Sequence, residues 1–286
     1  MKKFMALALA AFAACTTFAL TSCGTTKDEL KVYDTYLLTE EDYAFAIAKE
    51  NDALEASVNE LIADMKADGS LDSLIDSYFD GTATFTYTNK TSAPAEGDFI
   101  MATNAFFPPF EYYEGETFAG VDVEMAYLIA EKLGKNLFVK DMDFDGIILD
   151  VKNGSSDIGM AGMTVTDTRL EQVDFATPYY KSAQVLTVQK GDKTFADCKS
   201  ADDVVAVLQK QNKKFKVGTQ TGTTGYMYSA GDADFGYDGF ANLETKAYQT
   251  GALAMTDLSN GKINAVILDL QPSLMITKSI NATFSK

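Results

Sequence analysis

The chain has 286 residues, 47% of them apolar, and 24 Lys and Arg stand against 41 Asp and Glu for a net charge of −17. That acidic balance repels phosphate backbones and anionic headgroups, so nucleic acid is not expected as a partner. No His occurs anywhere, which removes Ser-His and Cys-His nucleophile pairs, imidazole acid–base catalysis and His-ligated zinc; no metal and no cofactor are expected.

The chain opens with "MKKFMALALAAFAACTTFALTSC": two Lys, an apolar run from Phe4 to Leu20 broken by Cys15, Thr16 and Thr17, then small residues up to Cys23. This is the layout of an export signal, and "LTSC" resembles a bacterial lipobox. Residues 1–22 are expected to be a lipoprotein signal peptide, with lipid on Cys23 and residues 23–29 as a tether. Losing Lys2 and Lys3 takes the net charge from −17 to −19, and Cys198 is left as the free thiol, so no intramolecular disulfide is expected. No later apolar run is long enough to span a bilayer, which predicts a soluble body outside the cytoplasm, held to the membrane by lipid alone.

The next stretch, "KADGSLDSLIDSYF", reads as a short amphipathic helix closing on Tyr78 and Phe79, the way chains often finish. The polar segment from Thr82 to Asp98, with Pro94 and Gly97, reads as a linker. From Phe99 onward strand and helix patterns alternate, the mark of an α/β protein. "DFIMATN" and "NLFVKDMDF" are strand-like, and "GVDVEMAYLIAEKLG" has apolar residues at helical spacing before Gly134. A buried strand is expected from Ile158 to Met163, followed by a helix capped by Thr166 or Asp167. In open α/β sheets ligands gather at the carboxyl ends of strands.

Three positions carry chemistry. Arg169 stands near that helix start, where its charge opposes the helix dipole; it either grips a ligand carboxylate with its guanidinium fork or pairs with Glu171 or Asp167 on the surface. "QTGTTGY" after the strand "KFKVG" is either a small anion nest or an ordinary strand–helix turn, and without a Lys after the glycines it is no nucleotide loop. Asp269 ends the apolar strand "NAVIL", where it needs a cation or serves as a helix cap.

"ATNAFFPPFEY", "GVDVEMA", "DMDFDGII", "DIGMAGMTVTDTR", "VDFATPYYKSA", "KVGTQTGTTGY" and "AVILDLQP" follow one another across residues 98–286. In this order and spacing they resemble the bacterial extracellular solute-binding proteins of family 3, the polar amino-acid receptors of ABC importers. Members of that family continue after the last motif with a strand and closing helices. Residues 30–79 resemble that missing tail, so the chain reads as a circularly permuted member. The resemblance implies a two-lobe fold of the type II periplasmic-binding-protein kind. Lobe one would span 41–187, including linker 80–97; lobe two would span 191–286 plus 30–37, with hinge crossings near 186–190 and 38–42.

The same resemblance implies the site. Arg169 would take the ligand's α-carboxylate, with Ala161, Gly162 and Thr164 beside it and Gln220, Thr223 and Thr224 closing from lobe two, Thr224 on the same carboxylate. Asp269 would receive the α-ammonium. Phe107 and Phe144 would stack on the ligand side chain, Pro108, Pro109 and Phe110 would stiffen the Phe107 loop, and Asn104 would face the side chain's polar end. Glu111 reads as structural. The expected ligand is a free polar or basic L-amino acid, arginine first and glutamine second; the expected partners are the membrane permease subunits of an importer, and the protein is expected to be a monomer. Two other classes stay open. A dehydratase-like enzyme would need a cleft carboxylate, for which Asp143, Asp145 and Glu111 are candidates, and a sensory module would look the same in sequence.

Overall fold

A computed structural model of the chain describes residues 27–284. The signal-peptide expectation and Cys23 lie outside those residues. In chain order the elements are β1 (Leu30–Val32), β2 (Glu41–Tyr43), β3 (Ala46–Ala48), α1 (Asp52–Asp68), α2 (Ser70–Phe79), β4 (Phe99–Thr103), β5 (Phe106–Phe107), β6 (Glu111–Glu114) and β7 (Thr117–Ala119). Then come α3 (Val121–Lys132), β8 (Leu137–Asp141), α4 (Ile147–Lys152), β9 (Ile158–Gly159), α5 (Asp167–Leu170), β10 (Val173–Phe175), β11 (Tyr180–Ser182) and β12 (Gln184–Gln189). The remainder is α6 (Ala201–Gln209), β13 (Lys216–Gln220), α7 (Thr224–Ala230), β14 (Glu244–Tyr248), α8 (Gly251–Ser259), β15 (Ala265–Asp269) and α9 (Leu270–Ala282).

Two five-stranded sheets organise the molecule, in the orders β10-β3-β9-β4-β8 and β1-β12-β15-β13-β14. Each has three parallel strands, then two antiparallel ones. Continuous apolar runs make this possible, since strands covered by helices on both faces must be hydrophobic throughout; "AVILD" in β15 is buried at every position. Between the sheets, β2 and β11 form a two-stranded antiparallel ribbon.

The segment before residue 98 is not a detached domain. β1 is an edge strand of the second sheet against β12, whereas β3 sits inside the first sheet between β10 and β9. Val58 and Ile62 of α1 and Leu71 and Tyr78 of α2 are buried, each worth about 1.5–3 kcal/mol against exposure. Tyr78 donates to Glu124 at 2.7 Å and the Phe79 ring packs against Phe110 and Tyr180, which docks the pair on the first lobe.

Three boundaries differ from those the sequence suggests. The crossing between lobes falls at β2 and β11, not at 186–190, and β12 belongs wholly to lobe two. Val185, Leu186 and Val188 are buried on both faces, which an exposed hinge ribbon could not provide, while β2 and β11 turn Asp42 and Lys181 outward as an ion pair at 2.9 Å. Residues 28 and 29 of the expected tether already run along lobe two: Asp28 donates its N–H to the Ser259 carbonyl at 2.9 Å, and the Lys190 N–H donates to the Glu29 carbonyl at 2.7 Å. The linker is tied down as well, because Asn89 exchanges two hydrogen bonds with the Val139 backbone, both 2.8 Å, and Tyr87 bridges Phe118.

Candidate functional site

The parallel strands of both sheets end at the same place. Asn104 follows β4, Phe144 follows β8, Ala161, Gly162 and Thr164 follow β9, Gln220 ends β13 with Thr223 and Thr224 behind it, and Asp269 ends β15. With Phe107 of β5, Arg169 of α5 and Glu111 of β6, these residues line one narrow cleft between the lobes. All eleven positions expected from the sequence therefore come together. β9 is shorter than expected because Gly162, at φ +52°, bends the chain into the cleft; a Cβ there would come within 2.8 Å of the Phe107 ring.

Arg169 is 7% exposed, and α5 is capped by Thr166, whose hydroxyl accepts the Arg169 N–H at 3.1 Å. The guanidinium donates to the Thr164 carbonyl at 2.6 Å on lobe one and to the Gly222 carbonyl at 3.1 Å on lobe two, and lies 5.4 Å from the centre of the Phe144 ring. Neither Glu171 nor Asp167 pairs with it. Burial lowers its pKa to about 10, opposed by the charges of Glu41 and Asp269, so it is a cation at neutral pH. A second bond joins the lobes: the Gln220 amide donates to the Asn104 carbonyl oxygen at 3.0 Å, while the Asn104 amide donates to the Met142 carbonyl at 2.9 Å. Asn104 thus turns its oxygen, an acceptor, toward the cleft.

Asp269 is the residue before α9, yet its side chain makes no capping bond. It instead accepts from the Tyr43 hydroxyl and, at 3.5 Å, from Ser182. Burial first, then the charge of Glu41, raise its pKa to about 7.

The hinge supplies residues that the sequence reading missed. Glu41 is 5% exposed and accepts hydroxyl protons from Thr164 and Thr224, each at 2.7 Å, and from Thr39 at 2.7 Å. Thr224, expected to close on a ligand carboxylate, gives its proton to Glu41. The signal was available: in a strand alternate side chains share a face, so an inward Tyr43 carries Glu41 inward with it. Behind the cleft floor, Asp122 accepts from the Gly162 N–H at 2.9 Å and from the Tyr179 hydroxyl at 2.6 Å. Glu111 lies against Asp122 with neither oxygen hydrogen-bonded among the described residues; burial and the Asp122 charge push it well above the usual carboxylate range, and burial raises Asp122 to about 6. Of the carboxylates an enzyme might use, only Glu111 lines the cleft, since Asp143 and Asp145 are exposed.

The sequence profile of the bacterial extracellular solute-binding proteins, family 3, matches residues 99–254, more than half of the chain. The chain belongs to this family. It is 36% identical over 131 residues to the arginine-binding extracellular protein ArtP of Bacillus subtilis (strain 168), covering 45% of this chain and 51% of that protein. Among solved structures, an ancestral arginine-binding protein bound to arginine superposes with a TM-score of 0.55 at 34% identity, covering 64% of this chain and 75% of that one. An ancestral arginine-binding protein bound to glutamine gives 0.54 at 33% identity, with 65% and 75% covered. The chain thus matches about half of the length of ArtP, and its fold is the type II periplasmic-binding-protein fold.

Proposed function

We propose that this solute-binding protein is the extracytoplasmic receptor of an ABC importer, that it captures a polar or basic L-amino acid between its closing lobes, and that arginine is its preferred ligand. The observation that carries the reading is the buried pair of opposite charges, Arg169 on the short helix α5 and Asp269 at the end of β15, lining one cleft. An amino acid is a zwitterion whose carboxylate matches the guanidinium fork and whose ammonium matches the Asp. Arginine is favoured over glutamine because Asp269 and the nearby Glu41 outnumber Arg169, and buried charge is tolerated only when balanced. The Asn104 carbonyl oxygen and the faces of Phe107 also suit a guanidinium. Glutamine is the second reading, supported by the ancestral relative bound to it. No catalytic role is assigned, and attachment through lipid on Cys23, docking to permease subunits and a monomeric state belong to the same proposal.

The chain order of this receptor is also proposed to be permuted. Support comes from the closeness of its ends: the Asn281 side chain exchanges hydrogen bonds with the Leu30 backbone at 2.8 and 2.9 Å, and residues 30–79 complete both lobes outside the span of the family match.

A thermal-shift screen of the twenty amino acids tests the receptor reading, since a ligand at about 100 times its dissociation constant stabilises the protein by about 2.7 kcal/mol. No response to any of them rejects it. Calorimetric titration then ranks arginine against glutamine, and tighter binding of glutamine reverses the order.

A further inference from the structure

We propose that Glu41 is a positioning residue for the α-amino group of the ligand: by drawing the hydroxyl protons of Thr164 and Thr224 behind the cleft wall, it leaves both oxygens facing the cleft as acceptors. The inference rests on the amino-acid receptor reading above. A hydroxyl carries one proton and two lone pairs, and an ionised carboxylate can only accept. Both hydroxyls stand 2.7 Å from the same Glu41 oxygen, so both protons are directed there. Thr224 also accepts from the Gln184 side-chain amide at 3.1 Å, which leaves its proton no other direction.

The carboxylate is itself locked. Its second oxygen takes the Thr39 proton at 2.7 Å, and the Thr39 oxygen in turn accepts the Gln184 backbone N–H at 2.9 Å. Thr164 comes from lobe one, Thr224 and Gln184 from lobe two, and Glu41 from the ribbon between them. Thr164 and Thr224 line the cleft while Glu41 lies one layer back. The wall between Arg169 and Asp269 therefore presents lone pairs. An ammonium has three protons to give to these two oxygens, with Asp269 for its charge, whereas a carboxylate finds no hydroxyl donor in them and turns to the Arg169 guanidinium.

The test is calorimetric titration of wild type, Glu41→Gln and Glu41→Asp with three probes: arginine, δ-guanidinovaleric acid, which lacks only the α-amine, and agmatine, which lacks only the α-carboxylate. The Gln side chain can turn its NH₂ toward the threonine oxygens and release their protons into the cleft. The expected result is that in Glu41→Gln the affinity ratio of arginine to δ-guanidinovaleric acid falls at least about tenfold, as losing a hydrogen bond to a charged group implies. The ratio of arginine to agmatine stays within about threefold, and Glu41→Asp keeps most of the wild-type amine dependence. An unchanged amine ratio in Glu41→Gln, or an equal change in both ratios, overturns the proposal. Wild-type protein that binds glutamine and not arginine is tested the same way with glutaramic acid; wild-type protein that binds none of the twenty amino acids overturns the receptor reading before any variant is compared.

Discussion

Asp269 is asked to be two things, a buried group in the empty cleft and a counter-ion in the filled one. Burial and Glu41 hold its carboxyl at about 7, against about 3.9 in an unfolded chain. The empty fold therefore keeps a proton that the unfolded chain has released, and this group's contribution to stability is fully present below about pH 4 and lost as pH rises through about 7. An ammonium ligand favours the ionised form and expels that proton. Affinity is accordingly expected to rise by up to about tenfold per pH unit and to level off above about pH 7. Titration between about pH 5 and pH 8 measures this, and a flat profile in wild type would reject the assignment of Asp269 to the ammonium. Removing either partner of the ligand's charges is harsher: Arg169→Ala and Asp269→Ala are each expected to weaken binding by roughly 2–5 kcal/mol, with cooperative melting retained. Normal binding by either variant would show that the cleft works differently.

At the scale of elements, closure depends on how near the loop after β13 can come to lobe one. Gly222 has φ +73°, and a Cβ on it would stand 2.9 Å from the Cβ and 3.3 Å from the Cα of Asp145 across the cleft. Gly222→Ala is therefore expected to cost about 1–2 kcal/mol in backbone strain and to prop the lobes apart, weakening ligand binding by at least about tenfold while each lobe stays folded. Calorimetry and scattering in saturating ligand would check both halves; full affinity in a closed shape would contradict it. This approach of two loops was invisible in the sequence, which shows the glycine but not what faces it. Other features were legible. β15 was readable because a buried parallel strand is apolar along its run, and Asn104 and Asp269 at strand ends and Arg169 at a helix start were readable because they fall within long motifs. The hinge was misplaced because "QVLTVQ" is equally apolar as a ribbon or as a core strand, and only the partners on both sides decide. Glu41 was passed over because Glu40, Glu41 and Asp42 look like one solvated acidic run, although strand alternation buries only the middle one.

At the scale of the molecule, the segment 30–79 is structural in both lobes, so a chain beginning at Asp98 would lack an interior strand of one sheet and an edge strand of the other. Such a fragment is expected to show no cooperative melting by circular dichroism. A chain reordered to run from 81 to 284 and on through 28 to 80 is expected to fold and to bind its ligand within about threefold of wild type, because it keeps the linker contacts and cuts only the exposed turn at 80–81. A folded, ligand-binding fragment, or a reordered chain that fails to fold, would argue against a permuted order. The position of β3 also has a consequence in time. Its partners are residues 158–159 and 173–175, and Leu30 is clasped by Asn281 across 251 positions of sequence. During synthesis at about 5–20 residues per second, the strands made first wait on the order of ten seconds for the strands they pair with. Loop closure over such separations also slows refolding, so the apolar "AFAIA" stretch stays unmatched until residues 158–175 have been made, and is where a chaperone, or a neighbouring chain, meets this protein before its own partners do.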